Sequence, residues 1–203
     1  MSDYTDITII LDRSGSMEEI HEETILGFNN FIGEQQKLDK KATLTLVQFD
    51  HEYERVYEAR DLKKIGSLNY KSYQPRGTTA LLDAIGRTII DTDSRVSEFK
   101  PEKVVVVIIT DGYENASTEY NRNLIFSMIA KHKKWDIIFL GANQDAIKEA
   151  GDLGIASDSS LTFQCDNDGI SDALLAVSEN ISALRQKKHK IRFTDDQRNK
   201  QKR

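Results

Sequence analysis

Two kinds of apolar pattern alternate along the chain. The first is the short, nearly continuous run. Ile7-Thr8-Ile9-Ile10-Leu11, Val104-Val105-Val106-Val107-Ile108-Ile109 and Ile137-Ile138-Phe139-Leu140 read as strands buried on both faces. Ala42 to Asp50 instead alternates small or polar with apolar residues, as a strand does when its two faces differ. The second pattern has helical spacing: Ile20, Ile25, Phe28, Phe31 and Ile32, then Leu81, Leu82, Ile85 and Ile89. These patterns predict strands over 4–11, 42–50, 55–58, 103–110, 135–141 and 161–163, and helices over 17–37, 80–90, 119–133, 144–150 and 168–186. Residues 61–77 read as irregular.

Strands that alternate with helices predict an α/β fold. It is a three-layer, doubly wound, mostly parallel sheet with helices on both faces. Arg55-Val56-Tyr57-Glu58 follows the preceding strand too closely for a crossover, so it is read as an antiparallel edge strand. Residues 1–186 read as one domain. Residues 187–203 lack apolar periodicity and are expected to fray or to extend the last helix as a basic tail.

Composition narrows the classes. With 203 residues the chain can bury a sizeable core. No apolar run reaches membrane-spanning length, and the acidic start Met1-Ser2-Asp3-Tyr4-Thr5-Asp6 has no signal-peptide pattern. Cys165 is the single cysteine, which excludes an intramolecular disulfide and makes a reducing cytoplasm the expected compartment. It is read as a small buried hydrophobe. The net charge of −5 is uneven: 8 basic and 2 acidic residues lie in 187–203, leaving 20 basic and 31 acidic elsewhere. An acidic body argues against nucleic acid as partner.

Three turns at the carboxyl ends of strands carry oxygen donors. Asp12-Arg13-Ser14-Gly15-Ser16 follows the first strand, Gly77-Thr78-Thr79 precedes a helix, and Thr110-Asp111-Gly112 ends the central strand. Ligands of open α/β sheets bind at that edge, and hydroxyl and carboxylate oxygens suit a hard cation such as Mg²⁺. Each residue also has a plainer reading. Ser16 with Glu19 fits a capping box, Ser14 can satisfy a turn amide, Thr79 can cap its helix, and Asp111 can be a turn residue.

Taken as an ordered set, D-x-S-x-S, a Thr before a helix and T-D-G resemble the von Willebrand factor type A domain with its metal-ion-dependent adhesion site. The resemblance covers about residues 4–186. It implies Ser14, Ser16 and Thr79 as direct hydroxyl ligands of Mg²⁺ or Mn²⁺, with Asp12 and Asp111 reaching the metal through water. Thr79 is preferred over Thr78 because Thr79-Ala80-Leu81 matches the family's entry to the helix. The resemblance further implies a protein–protein interaction module, not an enzyme. A partner protein would supply a carboxylate to the metal. Stand-alone chains of this type are similar to those of bacteria and phages.

Glu114 and Asn115 are read as loop caps more than ligands, and Arg76 as a loop charge or a contact for an acidic partner. His21, His51, His132 and His189 show no zinc spacing. Tyr70, Tyr73 and Tyr113 lie near the same edge, as interface or core. The competing function is a Mg²⁺-dependent phosphohydrolase of haloacid-dehalogenase type with Asp12 as nucleophile. That chemistry needs a second Asp where this chain has Ser14.

Overall fold

The computed structural model describes residues 2–142, 146–186 and 190–201. In chain order the elements are β1 (Ser2–Asp12), α1 (His21–Gln36), β2 (Lys41–Phe49), β3 (Tyr53–Asp61), α2 (Leu81–Phe99), β4 (Pro101–Thr110), α3 (Arg122–Lys131), β5 (Asp136–Ala142), α4 (Ala146–Asp152), β6 (Ser160–Phe163), α5 (Asn167–Arg185) and α6 (Asp195–Lys200). A six-stranded sheet runs β3-β2-β1-β4-β5-β6. All neighbours are parallel except β2 and β3. This is the predicted doubly wound sheet with one antiparallel edge. No helix among the described residues is long and apolar enough to cross a membrane.

Strand alternation sorts the core into two layers. Ile7, Ile9 and Leu11 point to the side of α1 and α5, as do Val105, Val107 and Ile109. Ile10, Val106 and Ile108 point to the side of α2, α3 and α4. Gly27 lets α1 and α5 approach closely, since a Cβ there would lie 2.6 Å from Leu174 Cδ1.

Three departures from the sequence reading have physical causes. First, α2 runs to Phe99, well past Ile90. Its inner face continues with Thr92 and Arg95, both buried. Arg95 grips Asp6 of β1 through Nε–Oδ2 (3.0 Å) and Nη2–Oδ1 (2.9 Å) and bonds Thr8 Oγ1 at 2.8 Å. A polar inner face leaves no apolar period to read. Second, the first helix opens as a 3₁₀ turn, Gly15–Ile20, before α1. Third, the segment after α5 does not fray over its described part. Residues 190–201 fold back along β6. Ile191 and Phe193 are buried in the core, Phe193 N–H bonds Asp158 O at 2.9 Å, and the Arg198 guanidinium donates to Ser157 O and Ser160 O. Two apolar residues spaced by two are too few to show a period. Residues 144–145 of the predicted short helix and 187–189, 202 and 203 of the predicted tail lie outside the described residues.

After β1 the chain moves outward to β2 and β3, then crosses through α2 to β4 on the other side of β1. The β1–β4 boundary is therefore the point where strand order reverses, the place at the carboxyl edge where ligands of open α/β sheets bind. Asp12 and Asp111 stand on its two sides.

Candidate metal centre

Asp12 ends β1 and is fully buried. Its Oδ1 accepts the Ser14 N–H (2.6 Å) and its Oδ2 accepts the Thr110 hydroxyl (2.5 Å). The buried Tyr73 hydroxyl donates to its backbone carbonyl at 2.6 Å. Burial pushes the Asp12 carboxyl up to about 7, against the opposing pull of the Thr110 and Ser14 hydrogen bonds. Burial likewise raises Asp111, opposed by its bond from Ser16.

Ser14 is buried, precedes the 3₁₀ turn, and makes no side-chain cap. Its Oγ lies 3.1 Å from Ser16 Oγ, and Ser16 Oγ donates to Asp111 Oδ1 at 2.7 Å. The capping box expected of Ser16 and Glu19 does not form. Because the helix starts at Gly15, Ser16 already sits inside the turn and its hydroxyl swings across the crevice.

Thr79 is buried and Thr78 exposed. The N-cap of α2 is Ala80, with no side-chain cap, so Thr79, read from the sequence as the cap, lies one residue before it. Its hydroxyl bonds no described residue. The residue is enclosed but its hydroxyl keeps access to the sheet edge, where it faces Gly112. A Cβ added to Gly112 would lie 2.8 Å from Thr79 Oγ1 and 3.5 Å from both Ser14 Oγ and Ser16 Oγ. Three hydroxyls from two separate turns thus surround one spot beside the Gly112 backbone.

The caps that α2 lacks locally come from the loop after β4. Leu82 N–H donates to Glu114 Oε2 (2.9 Å) and Asp83 N–H to Ser117 Oγ (3.0 Å). Asn115 exchanges two bonds with Thr79: Thr79 N–H to Asn115 Oδ1 (2.9 Å) and Asn115 N–H to Thr79 O (3.0 Å). In return Asp83 accepts the N–H groups of Thr118, Glu119 and Tyr120. Glu114 and Asn115 therefore act as caps. They clamp the Thr79 turn to the Asp111 turn.

A second brace joins the Ser14 turn to the Thr79 turn. The Asp50 carboxylate, fully buried at the end of β2, accepts Arg13 Nε (3.1 Å) and Arg76 Nε (2.7 Å) on one oxygen. Backbone bonds run alongside: Arg76 N–H to Arg13 O (2.7 Å) and Ala80 N–H to Asp50 O (2.9 Å). Sequence reading named Arg76 but missed Arg13 and Asp50. Arg13, inside D-x-S-x-S, has an apolar run on one side and small residues on the other. A charged residue at such a buried turn is the signal available in the sequence.

The donors fit a hard divalent cation. Neither Asp12 nor Asp111 has an ion-pair partner among the described residues, and the nearest side chains are neutral hydroxyls. No group of three or more His, Cys, Asp or Glu that could hold a metal occurs among the described residues, so a nitrogen–sulfur zinc centre does not form here. Cys165 is half-buried rather than buried, with Sγ 4.0 Å from Asp111 Oδ2. Burial, then the charges of Asp111, Glu19 and Asp166, push its thiol up to about 11. His21 bonds Tyr73 O, and His132 bonds Met128 O and Asp93, so neither serves Ser14 or Ser16 as a base. His189 lies outside the described residues. Tyr73 is core, whereas Tyr70 and Tyr113 are exposed.

Thr79→Ala is expected to weaken divalent-cation binding on the order of tenfold or more, by analogy with loss of a supporting ligand contact. Because Thr79 does not cap α2, the melting temperature without metal should hardly change. Thr79→Ser should restore affinity and Thr78→Ala should leave it intact. Calorimetric Mn²⁺ titrations of the three variants check this.

Comparison with known proteins bears on the fold and the family. No curated protein sequence matches. Among solved structures, proximal thread matrix protein 1 from the mussel byssus, described with a zinc-occupied MIDAS motif, superposes with a TM-score of 0.64 at 16% identity. The match covers 88% of this chain and 48% of that one, so the chain spans about half the length of this relative. The VWA2 paralog of ArnB from Sulfolobus acidocaldarius gives 0.61 at 17% identity, over 89% of this chain and 45% of that one. The vWF domain of the type V pilus tip protein Mfa5 from Porphyromonas gingivalis gives 0.67 at 11% identity, over 96% and 98%. At such identities these likenesses show the fold alone. The family profile of the von Willebrand factor type A domain matches residues 6–176, most of the sheet and all three donor turns, and the chain belongs to that family.

Proposed function

We propose that the chain is a cytosolic, Mg²⁺- or Mn²⁺-dependent protein-interaction module. Ser14, Ser16 and Thr79 would hold the cation directly, and Asp12 and Asp111 through water. A cation held mainly by neutral hydroxyls keeps much of its charge and offers a coordination position to a carboxylate of a partner protein. The chain's own residues orient the hydroxyls, keep both Asp free of competing basic side chains, and fix the two turns through Asp50 and Glu114. The observation that carries this reading is the convergence of three hydroxyls beside Gly112, with that of Thr79 bonded to no described residue.

The phosphohydrolase reading is disfavoured. Both Asp12 oxygens are occupied by hydrogen bonds deep in the turn, and Ser14 stands where the acid/base would be needed.

A melting scan in chelator against millimolar Mg²⁺ tests the proposal. A cation at ten times its Kd stabilises the native state by about 1.4 kcal/mol. For a chain of this size that raises Tm by about 3–6 °C. An unchanged Tm at every Mg²⁺ and Mn²⁺ concentration would contradict it. So would phosphate-ester turnover by the purified chain that is lost in Asp12→Ala.

A further inference from the structure

The carboxyl edge that carries the candidate metal centre is acidic well beyond the two aspartates. Glu18 and Glu19 lie in the 3₁₀ turn that begins beside Ser16, and Glu22 follows on the first turn of α1. All three are exposed. Asp166, at the cap of α5, is exposed on the far side, next to Cys165. Glu19 and Asp166 both lie near enough to Cys165, which sits against Asp111, for their charges to act on it. Glu52 is exposed beside the Arg76 turn.

Among the described residues, few cations face these carboxylates: Lys200 lines the hollow beside Asp166, and none pairs with Glu19 or Glu22. Arg13 is buried and bound to Asp50 and Glu54. Arg76 is bound to Asp50 and Glu52. Lys71 is exposed on the preceding turn. The opposite edge is mixed, with Lys100, Lys103, Lys131, Lys133 and Lys190 around the amino ends of β4 and β5 interspersed with Glu98, Glu102 and Asp136.

An acidic rim creates a conflict with the proposed activity, on which this inference rests. A partner carboxylate must approach a cation ringed by like charge, and like charges juxtaposed across an interface are disfavoured. We infer that the partner presents its metal-binding Asp or Glu from within a cluster of Lys and Arg side chains, which pair with Glu18, Glu19, Glu22 and Asp166 while the carboxylate meets the metal. The second observation pointing to a ligand here is Thr79, a residue 3% exposed whose hydroxyl has no partner among the described residues and faces Gly112 between the two aspartate turns. The same charge pattern disfavours phosphodiester and anionic-lipid surfaces on this face, since they bring negative charge without the basic flanks.

The test uses the intact chain and three labelled peptides of equal length. Each has a central Asp, flanked on both sides by Lys, by Ser or by Glu. They are titrated to millimolar concentration at low ionic strength, in Mg²⁺ and in chelator. The Lys-flanked peptide is expected to bind about tenfold tighter than the Ser-flanked one, with the Glu-flanked one weakest. The difference should shrink as salt is raised, and binding should fall in chelator. The triple variant Glu18→Lys/Glu19→Lys/Glu22→Lys should lose or invert the ranking while keeping the Mg²⁺-induced rise in Tm, which also certifies its fold. Equal affinities, or an unchanged ranking in the triple variant, would overturn the inference alone. Binding of no peptide by a chain that Mg²⁺ stabilises would also overturn only the inference. Lys-flanked binding that is indifferent to chelator, with no Mg²⁺ effect on Tm, would overturn the metal reading as well. Mg²⁺-dependent self-association without peptide would replace the separate partner by a second copy, and so overturn the inference in this form.

Discussion

Gly112→Ala is expected to abolish divalent-cation binding while leaving the protein folded. Gly112 is not in the left-handed region, so its backbone accepts Ala. The added methyl is placed 2.8 Å from Thr79 Oγ1 and 3.5 Å from Ser14 Oγ and Ser16 Oγ, between the groups assigned as ligands. The unbound protein has a cheap response: the partnerless Thr79 hydroxyl rotates away. The smaller conformational freedom of Ala in the unfolded chain works in the same favourable direction. Stability without metal should therefore change by less than about 1 kcal/mol. A cation has no such escape, because all three hydroxyls must face one place at once. Affinity should drop by more than about 100-fold, beyond the cost of losing an outer-sphere partner. Mn²⁺ titration by calorimetry, paired with urea unfolding in chelator, separates the two effects. Wild-type affinity in Gly112→Ala would show that the cation sits elsewhere.

Asp50→Ala should lower stability and metal affinity together, although Asp50 is no ligand. Its carboxylate ties Arg13 to Arg76 and accepts the Glu52 N–H at 2.6 Å, with no exposure to solvent. Removing one partner of a buried ion pair costs about 3–5 kcal/mol. Arg76 is half-exposed and can turn to water, and Arg13 keeps Glu54, so a value near 3 kcal/mol is expected. The Ser14 and Thr79 turns then lose their shared anchor, and the preorganisation of the hydroxyls goes with it. Asp50→Asn should be milder, since it retains an acceptor. The pH behaviour follows from the same contacts. Burial alone would raise the Asp50 carboxyl. The bonds from Arg76 and the Glu52 amide, with the charges of Arg13 and Arg76, outweigh it and hold Asp50 below the ordinary range. Its contribution is thus complete above the unfolded carboxyl value of about 3.9 and is lost only as pH falls through the lower folded value. Urea unfolding at pH 7 and at pH 5 should give the same Asp50→Ala deficit. A stability loss with wild-type Mn²⁺ affinity would show that the brace does not set the hydroxyls.

The donor set was legible because each member stands where an apolar run stops. Asp12 follows Leu11, and Asp111 follows Thr110 at the end of seven β-branched residues. Strand ends fix the edge of the sheet, and the edge fixes which polar residues can meet. What holds those residues in place was not legible. Glu114 caps α2 from more than thirty residues away, and Asp50 joins two turns on different crossovers. Neither leaves a local pattern. Local rules misplaced Ser16 and Thr79 as caps because a capping box and an N-cap are judged from neighbouring residues alone. At α2 the amides are served by Glu114 and Ser117, which leaves the Thr79 hydroxyl without a capping role, while the Ser16 hydroxyl is drawn across to Asp111. The extension of α2 was hidden for a related reason: Arg95 and Thr92 are buried through Asp6 and Thr8, and hydrophobic periodicity does not register a polar inner face.

Anomalous diffraction at the manganese edge from crystals grown in Mn²⁺ locates the cation. One strong peak is expected beside Gly112, in contact with the hydroxyls of Ser14, Ser16 and Thr79, with Asp12 and Asp111 further out. A peak bound by other residues, or no peak in crystals whose crevice is open to solvent, would contradict it.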